Sequence, residues 1–74
     1  MKIKNNYEAR MRIGKRIAEL RMLRGISQRE LARRTGIEAG NLNRIEAGRY
    51  STGIDILDAI ATELGTELDF KPLN

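Results

Sequence analysis

The chain has 74 residues, no cysteine, no histidine and a formal net charge of +4. These features exclude disulfides and thiolate–metal sites, and they remove the usual zinc ligands and the commonest general base. No apolar run approaches the roughly 20 residues that a membrane-spanning helix needs, and the basic start lacks the apolar region of a secretory signal. We therefore expect one small cytoplasmic domain that uses no metal or cofactor and is not an enzyme.

The charge is distributed unevenly along the chain. Residues 1–50 hold 13 Lys/Arg against 5 Asp/Glu, a net of +8, whereas residues 51–74 hold 1 against 5, a net of −4. A basic block attracts phosphates, so a nucleic acid or an anionic membrane would fit it. The basic residues do not alternate with Trp or Phe as in a helix that lies on a membrane. Nucleic acid is the favoured partner.

The first predicted helix follows a short N-terminal arm. Residues 1–5 are predicted to be flexible, and Asn5 with Glu8 can cap a helix that runs to Arg24. Met22 and Leu23 are explained either by partial packing against a neighbouring helix or by contact with a partner chain. The buried stripe of this helix is predicted to comprise Ala9, Ile13, Ile17 and Leu20.

Two short helices with a tight turn are predicted over residues 27–47. Ser27 and Glu30 form a capping box, in which each side chain satisfies a backbone N–H at the start of a helix. Gly36 can end that helix in the left-handed conformation. An apolar pattern then restarts and continues to Gly48. Two helices of about two turns cannot bury a core alone, so their neighbours must support them.

The spacing within this segment is specific. Counted from Gln28 as the first position, the fourth, fifth, ninth, tenth, fifteenth and eighteenth residues are Leu31, Ala32, Gly36, Ile37, Leu42 and Ile45. This pattern resembles the helix-turn-helix of the Cro/repressor-like (XRE) family of DNA-binding regulators, over a stretch from Ile13 to about Gly65. The resemblance implies an all-α, repressor-like domain of four to five helices over residues 6–65.

A fourth helix is predicted to begin at the cap Thr52, with Asp55 three residues later, and to end before Gly65. Ile56 widens its apolar face, which suggests contact with a second subunit. The residues expected to face the core are Ile54, Leu57, Ile60, Ala61 and Leu64.

The C-terminal residues 66–74 show a different period. Leu68 and Phe70 alternate with charged residues, which predicts a short β-strand. A lone strand leaves its backbone hydrogen-bonding groups unpaired, so pairing with the same strand of a second copy is expected. Ile56, Leu68 and Phe70 are therefore the predicted dimer contacts.

The resemblance also implies which residues meet DNA. The second helix, residues 38–47, enters the major groove in the family, and its exposed residues here are Ala39, Gly40, Asn41, Asn43 and Arg44. Asn41 and Arg44 are the favoured base readers. Gln28 is expected to contact a phosphate and support the recognition helix, and Arg49 and Tyr50 are further expected phosphate contacts.

Two further expectations concern the supports of the recognition helix. Arg21 and Glu46 match positions that form a salt bridge in the family. Glu38 is a poor N-cap and Gly40 weakens a helix. These two residues indicate either a weakened module or a helix whose backbone approaches DNA closely.

The favoured function is a transcriptional repressor that binds a palindromic operator in double-stranded DNA as a homodimer. The fold and terminal strand also resemble antitoxins of type II toxin–antitoxin pairs, which bind a toxin protein and repress their own promoter. A third reading is a protein-docking module that has lost DNA binding.

Overall fold

A computed structural model describes residues 6–74, and the N-terminal arm, residues 1–5, lies outside the described part. The described residues form four helices and no strand: α1 (Tyr7–Leu23), α2 (Gln28–Thr35), α3 (Ala39–Glu46) and α4 (Ile54–Glu63). The all-α class with the predicted order of helices is confirmed. Among the described residues, no helix is long and apolar enough to cross a membrane.

The first helix is capped one residue later than predicted. The side chain of Asn6, not Asn5, accepts a hydrogen bond of 3.1 Å from the backbone N–H of Ala9. Asn6 has extended backbone dihedrals, as an N-cap requires, and the helix follows it directly. The predicted cap pairing of Asn5 with Glu8 is therefore wrong, because Asn6 caps the helix although no Glu or Gln follows it three residues later.

The predicted capping box of α2 forms only in part. The hydroxyl of Ser27 accepts a hydrogen bond of 3.0 Å from the N–H of Glu30, but the carboxylate of Glu30 accepts from Arg33 and Arg34 and makes no hydrogen bond to the N–H of Ser27 among residues 6–74. Gly36 has φ of 74°, and its N–H donates to the carbonyl of Ala32, which closes α2. Glu38 and Ala47 are the caps of α3, so the helix itself is shorter by one residue at each end than predicted.

The core lies where all four helices meet. Leu31, Leu42 and Ile60 are almost completely buried, and they come from α2, α3 and α4. Removing such a side chain typically costs about 2–5 kcal/mol of folding free energy, so this cluster holds the two short helices in place. The other buried apolar residues are Ile17, Ala32, Ile45, Ala61 and Leu64.

Two predictions for α4 are wrong. Gly53 is the N-cap, not Thr52, and it makes no side-chain cap hydrogen bond. The Thr52 hydroxyl is instead buried without a hydrogen-bond partner in the described part of the chain. Ile54, predicted to face the core, is 71% exposed because it opens the helix before the helix reaches its neighbours.

Several apolar side chains of α1 are more exposed than predicted. Met22 and Leu23 are 61% and 81% exposed, so partial packing against a neighbouring helix does not explain them. Ile13, predicted in the buried stripe, is 38% exposed.

The predicted C-terminal strand does not form in the single chain. Residues 66–74 have neither helix nor strand, and Phe70 is 98% exposed. The segment is anchored only at its start, where the N–H of Thr66 donates to the carbonyl of Ala61 at 2.8 Å. No other described segment of this chain is extended alongside it, so its backbone has nothing to form a ladder with.

Candidate nucleic-acid interface

The third helix has one buried face and one outer face. Leu42 and Ile45 are 0% and 3% exposed and anchor α3 in the core. Asn43 and Arg44 lie between them in sequence and are exposed, as is Ala39 at the start of the helix. Because residues three to four apart share a helix face, the polar side chains of α3 form a separate surface from its anchors.

The two favoured base readers are paired with each other. Nη2 of Arg44 donates a hydrogen bond of 2.6 Å to Oδ1 of Asn41. Asn41 is half-buried, so it holds the guanidinium of Arg44 against the helix surface. A guanidinium held in this way keeps donors that can still reach a ligand.

Gly40 lies beneath this pair. A Cβ atom placed on Gly40 would lie 3.1 Å from Oε1 of Glu38 and 3.9 Å from Nη1 of Arg44. The carboxylate and the guanidinium therefore both extend over the bare backbone of Gly40. Glu38 makes no cap hydrogen bond, so its carboxylate remains on the outer side of the N-terminus of α3.

Gln28 connects Asn43 on the outer face of α3 to Glu46, the last residue of that helix. Its Oε1 accepts a hydrogen bond of 3.1 Å from Nδ2 of Asn43, and its Nε2 donates one of 2.9 Å to Oε1 of Glu46. Gln28 is the first residue of α2, so these bonds join the two helices of the unit. Nothing in a single sequence shows that position 28 meets both 43 and 46, because this depends on how the helices cross.

Arg21 and Glu46 form a two-point ion pair. Nε of Arg21 donates to Oε2 of Glu46 at 2.8 Å, and Nη2 donates to Oε1 at 3.0 Å. Their side chains are 13% and 5% exposed. The hydrogen bonds to Glu46 raise the pKa of Arg21 above its ordinary value. A third donor, Nη1 of Arg21, binds the carbonyl of Ile26 at 2.9 Å, so one side chain joins α1, the turn before α2 and α3.

The residues predicted to contact phosphates differ in their surroundings. Arg49 and Tyr50 lie in the loop after α3 and are exposed, and the N–H of Arg49 donates to the carbonyl of Arg44 at 2.9 Å. Gln28, in contrast, is half-buried and engaged by the network described above. Arg49 and Tyr50 are therefore more accessible to a phosphate than Gln28 is.

Part of the positive charge of α2 is neutralised locally. Glu30 accepts hydrogen bonds from both Arg33 and Arg34, and those bonds lower the pKa of Glu30 from 4.5 to about 2. Arg34 also lies 3.9 Å from a carboxylate oxygen of Glu63 in α4. These contacts were not predicted, although Glu30 precedes both arginines at helical spacing.

One of the predicted dimer contacts, Leu68, lines an apolar groove between α1, α4 and the start of the tail. The groove has a volume of about 300 Å³, and Ile13, Leu20, Leu57 and Leu68 are among its lining residues. Ile56 and Leu68 are each 37% exposed. Phe70 extends from the tail without covering the groove, since it is almost fully exposed.

No group of three or more His, Cys, Asp or Glu side chains that could hold a metal ion occurs among residues 6–74. The outer face of α3 and the loop after it present amide, guanidinium and hydroxyl groups on a helical scaffold, and such groups suit hydrogen bonding to nucleic acid.

Comparison with known proteins identifies the scaffold. A family model described as helix-turn-helix matches residues 17–71. The chain belongs to this family of Cro/XRE-like DNA-binding regulators. It is accordingly a non-enzymatic, DNA-binding transcriptional regulator. A search of curated proteins found no match.

Solved structures show the same helix-turn-helix fold. The restriction-modification controller protein C.AhdI from Aeromonas hydrophila is 30% identical, with a TM-score of 0.80 over 82% of this chain and 92% of that one. The clp gene regulator ClgR from Corynebacterium glutamicum is 25% identical, with a TM-score of 0.77 over 88% of this chain and 67% of that one. A hypothetical transcription factor, NHTF from Neisseria, is 22% identical with a TM-score of 0.76 over 89% of this chain and 77% of that one, and it supports the fold alone.

Proposed function

We propose that this helix-turn-helix protein is a sequence-specific transcriptional repressor that reads the major groove with α3. The observation that carries the proposal is the division of α3 into two faces. Leu42 and Ile45 fix the helix in the core, while Asn43 and Arg44 extend outward from it. A helix anchored on one face can insert the other into the major groove without unfolding.

The outer side chains match base edges. Arg44 can donate two hydrogen bonds to guanine, and Asn41 or Asn43 can bind adenine. Ala39 is exposed at the start of α3, where it can contact a thymine methyl group. The 2.6 Å bond between Arg44 and Asn41 limits the conformations of the guanidinium before DNA arrives, which reduces the entropy lost on binding.

Phosphate contacts would fix the register of the protein on the duplex. Arg49 and Tyr50 are exposed directly after α3, where the backbone of DNA would pass. Gln28, at the N-terminus of α2, is the third candidate. Each phosphate that a cationic side chain neutralises makes the slope of log affinity against log salt steeper by about 0.9. The Arg49 contact should therefore make binding salt-dependent, whereas the neutral Gln28 and Tyr50 would contribute hydrogen bonds.

The protein would act as a homodimer on a palindromic operator. Ile56 and Leu68 are partly exposed apolar residues on α4 and the tail, and Phe70, also in the tail, is almost fully exposed. A second copy would cover these side chains and place two recognition helices in half-sites about 34 Å apart. The proposal concerns this apolar surface and requires no strand.

The similar solved structures support a regulator of transcription. C.AhdI is a restriction-modification controller protein and ClgR is a clp gene regulator. Repression needs only that the operator be occupied, which a DNA-binding domain achieves by itself. We therefore place repression first.

The test is selection of bound duplexes from a random pool at a stated salt concentration, since affinity without salt has little meaning. The expected result is an enriched sequence with two inverted half-sites. A reporter gene that carries this sequence between promoter and coding region should fall in expression when the protein is supplied. Failure to enrich any sequence would overturn the proposal, and a rise in expression would replace repression by activation.

A further inference from the structure

Asn43 is joined to the interior of the protein by a directed chain of hydrogen bonds. The chain begins with the ion pair of Arg21 and Glu46, passes through the Gln28 amide, and ends at Nδ2 of Asn43. It runs from a nearly buried carboxylate to an exposed side chain on the outer face of α3.

The chemistry of the chain permits only one orientation of each amide. Oε1 of Glu46 already accepts a hydrogen bond from Arg21, and an ionised carboxylate can only accept. Gln28 must therefore present its NH2 group to Glu46, which leaves its oxygen facing Asn43. A carbonyl oxygen can only accept, so Asn43 in turn must present its NH2 group to Gln28. Hydrogen-bond polarity decides the orientation of both amides, as it must for groups whose N and O atoms have nearly the same size.

This fixed orientation decides which atom of Asn43 faces outward. With Nδ2 of Asn43 turned toward Gln28, Oδ1 lies on the opposite side of the amide, and no hydrogen bond to Oδ1 occurs among residues 6–74. An oxygen accepts from an amino group, which adenine and cytosine present in the major groove, and it is repelled by the O6 of guanine or the O4 of thymine.

We propose that Glu46 and Gln28 are positioning residues that hold Asn43 with its oxygen outward, so that the protein prefers adenine or cytosine at the base facing Asn43. This inference rests on the proposed function, and it goes beyond mechanical support of the recognition helix. Gln28 and Glu46 determine which polarity of hydrogen bond the protein offers to DNA, although Glu46 itself touches no base.

The experiment first locates the base that Asn43 faces. Native protein and the Asn43→Ala variant are bound to duplexes that carry each of the four bases, one position at a time, within the selected sequence. The relevant position is the one at which Asn43→Ala loses preference. Native protein should prefer adenine or cytosine there. A preference for guanine or thymine would overturn the inference and leave the proposed function intact.

Gln28→Met then removes both amide bonds and keeps a side chain of similar length. The ratio of affinities between the preferred and rejected bases should fall by about fivefold or more, the lower end of the discrimination that a good side-chain–base pair provides. The loss of a phosphate contact by Gln28 would lower affinity for all four duplexes alike and would not change this ratio. In an Asn43→Ala background, Gln28→Met should leave the ratio unchanged. An unchanged ratio for Gln28→Met alone would overturn the inference.

Glu46 is tested in a variant that avoids an unpaired buried charge. Arg21→Met combined with Glu46→Gln replaces the ion pair by neutral groups, a change that is often tolerated by the fold. The amide at position 46 can donate or accept, so it no longer fixes the polarity of Gln28. A melting curve first shows that the double variant is folded. Its ratio of affinities between the preferred and rejected bases should then fall as it does for Gln28→Met. A retained ratio would remove Glu46 from the proposal.

A measurement on the unaltered protein does not depend on any variant folding. Only one of the two Nδ2 protons of Asn43 is bonded to Gln28, so the two should exchange with water at different rates in an NMR experiment. Equal rates would overturn the inference. A native protein that selects no sequence at all would instead overturn the proposed function.

Discussion

Gly14 and Ile45 are in direct backbone contact where α1 crosses α3. A Cβ atom on Gly14 would collide with the carbonyl oxygen of Ile45 and would lie 2.6 Å from that of Glu46. Both neighbours are backbone atoms, which cannot rotate away as a side chain could. The close crossing also brings Arg21, two turns further along α1, within reach of Glu46.

Gly14→Ala should therefore destabilise the protein. Alanine improves the intrinsic helix propensity by about 1 kcal/mol, but inserting a methyl group into a tight contact costs about 1–3 kcal/mol. We expect a net fall in the free energy of unfolding, measured by urea denaturation. Gly40→Ala is the matched control, because the atoms nearest to its methyl group would be flexible side-chain ends, the carboxylate of Glu38 at 3.1 Å and the guanidinium of Arg44 at 3.9 Å. Equal stability of the two variants would contradict the importance of the Gly14 contact.

Arg21→Ala should be strongly destabilising. It leaves the 5% exposed carboxylate of Glu46 without its partner, and breaking a buried pair on one side costs about 3–5 kcal/mol. Arg21→Met with Glu46→Gln should cost much less, since it leaves no buried charge. The free energies of unfolding of both variants provide the comparison. If Arg21→Ala has the same midpoint of urea unfolding as the native protein, the ion pair contributes nothing to stability.

Glu30 should make the stability of the protein depend on acid pH. Hydrogen bonds from Arg33 and Arg34 lower its folded-state pKa from 4.5 to about 2. A lowered carboxyl pKa stabilises the fold fully above the unfolded-state pKa, and this contribution is lost as pH falls from about 4.5 toward 2. Native protein should therefore approach Glu30→Gln in melting temperature over that range. Parallel melting-temperature curves for the two proteins between pH 2 and 6 would contradict the assignment.

Two arginines should differ in how they affect DNA binding. Arg44→Ala should cost about 1–3 kcal/mol and relax preference at one base pair, whereas Arg49→Ala should weaken binding to all sequences and reduce the salt slope by about 1. Affinities for the selected duplex and a scrambled one, at two salt concentrations, separate these effects. Equal losses on both duplexes for both variants would remove Arg44 as a base reader.

Removal of residues 67–74 should convert the proposed dimer to a monomer. The deletion takes away Leu68 and Phe70, which are 37% and 98% exposed in the single chain. Sedimentation equilibrium of full-length and shortened protein measures the change, and the Phe70→Ser variant tests one side chain in the intact chain. A shortened protein that remains dimeric would exclude the tail as the contact, and a monomeric full-length protein would exclude the dimer.

The sequence predicted best those features that depend on neighbouring residues. Ser27 and Gly36 act as predicted because a cap and a left-handed turn are satisfied within a few residues. The choice between adjacent caps was wrong at the first helix, because the spacing of Asn5 and Glu8 fits a capping box whereas Asn6, which has Ala9 three residues later, is the cap. Ile54 fits the helical period of α4, but the period does not reveal that α4 meets the core only after its first turn.

Contacts between distant residues could not be predicted in the same way. The contact of Gly14 with α3 depends on the crossing of two helices, and glycine has no side chain whose chemistry points to a partner. The bonds of Gln28 to both Asn43 and Glu46 have the same origin. The prediction of a strand at residues 66–74 is wrong for the single chain, because alternating side chains form a strand only where a backbone partner exists.

The bond chain through Gln28 also bears on how operator preference could be changed by evolution or by design. An acidic residue in place of Asn43 would put its carboxylate against the oxygen of Gln28, and the two acceptors would repel each other. Turning the Gln28 amide to donate to that residue would place its oxygen against the carboxylate of Glu46. If Asn43 contacts a base as proposed, a new preference at that base requires coordinated changes that extend into the interior. The side chain of Arg44 donates a hydrogen bond to Asn41 on the helix surface, so under the same proposal that pair is where the protein could acquire a new DNA target in single steps.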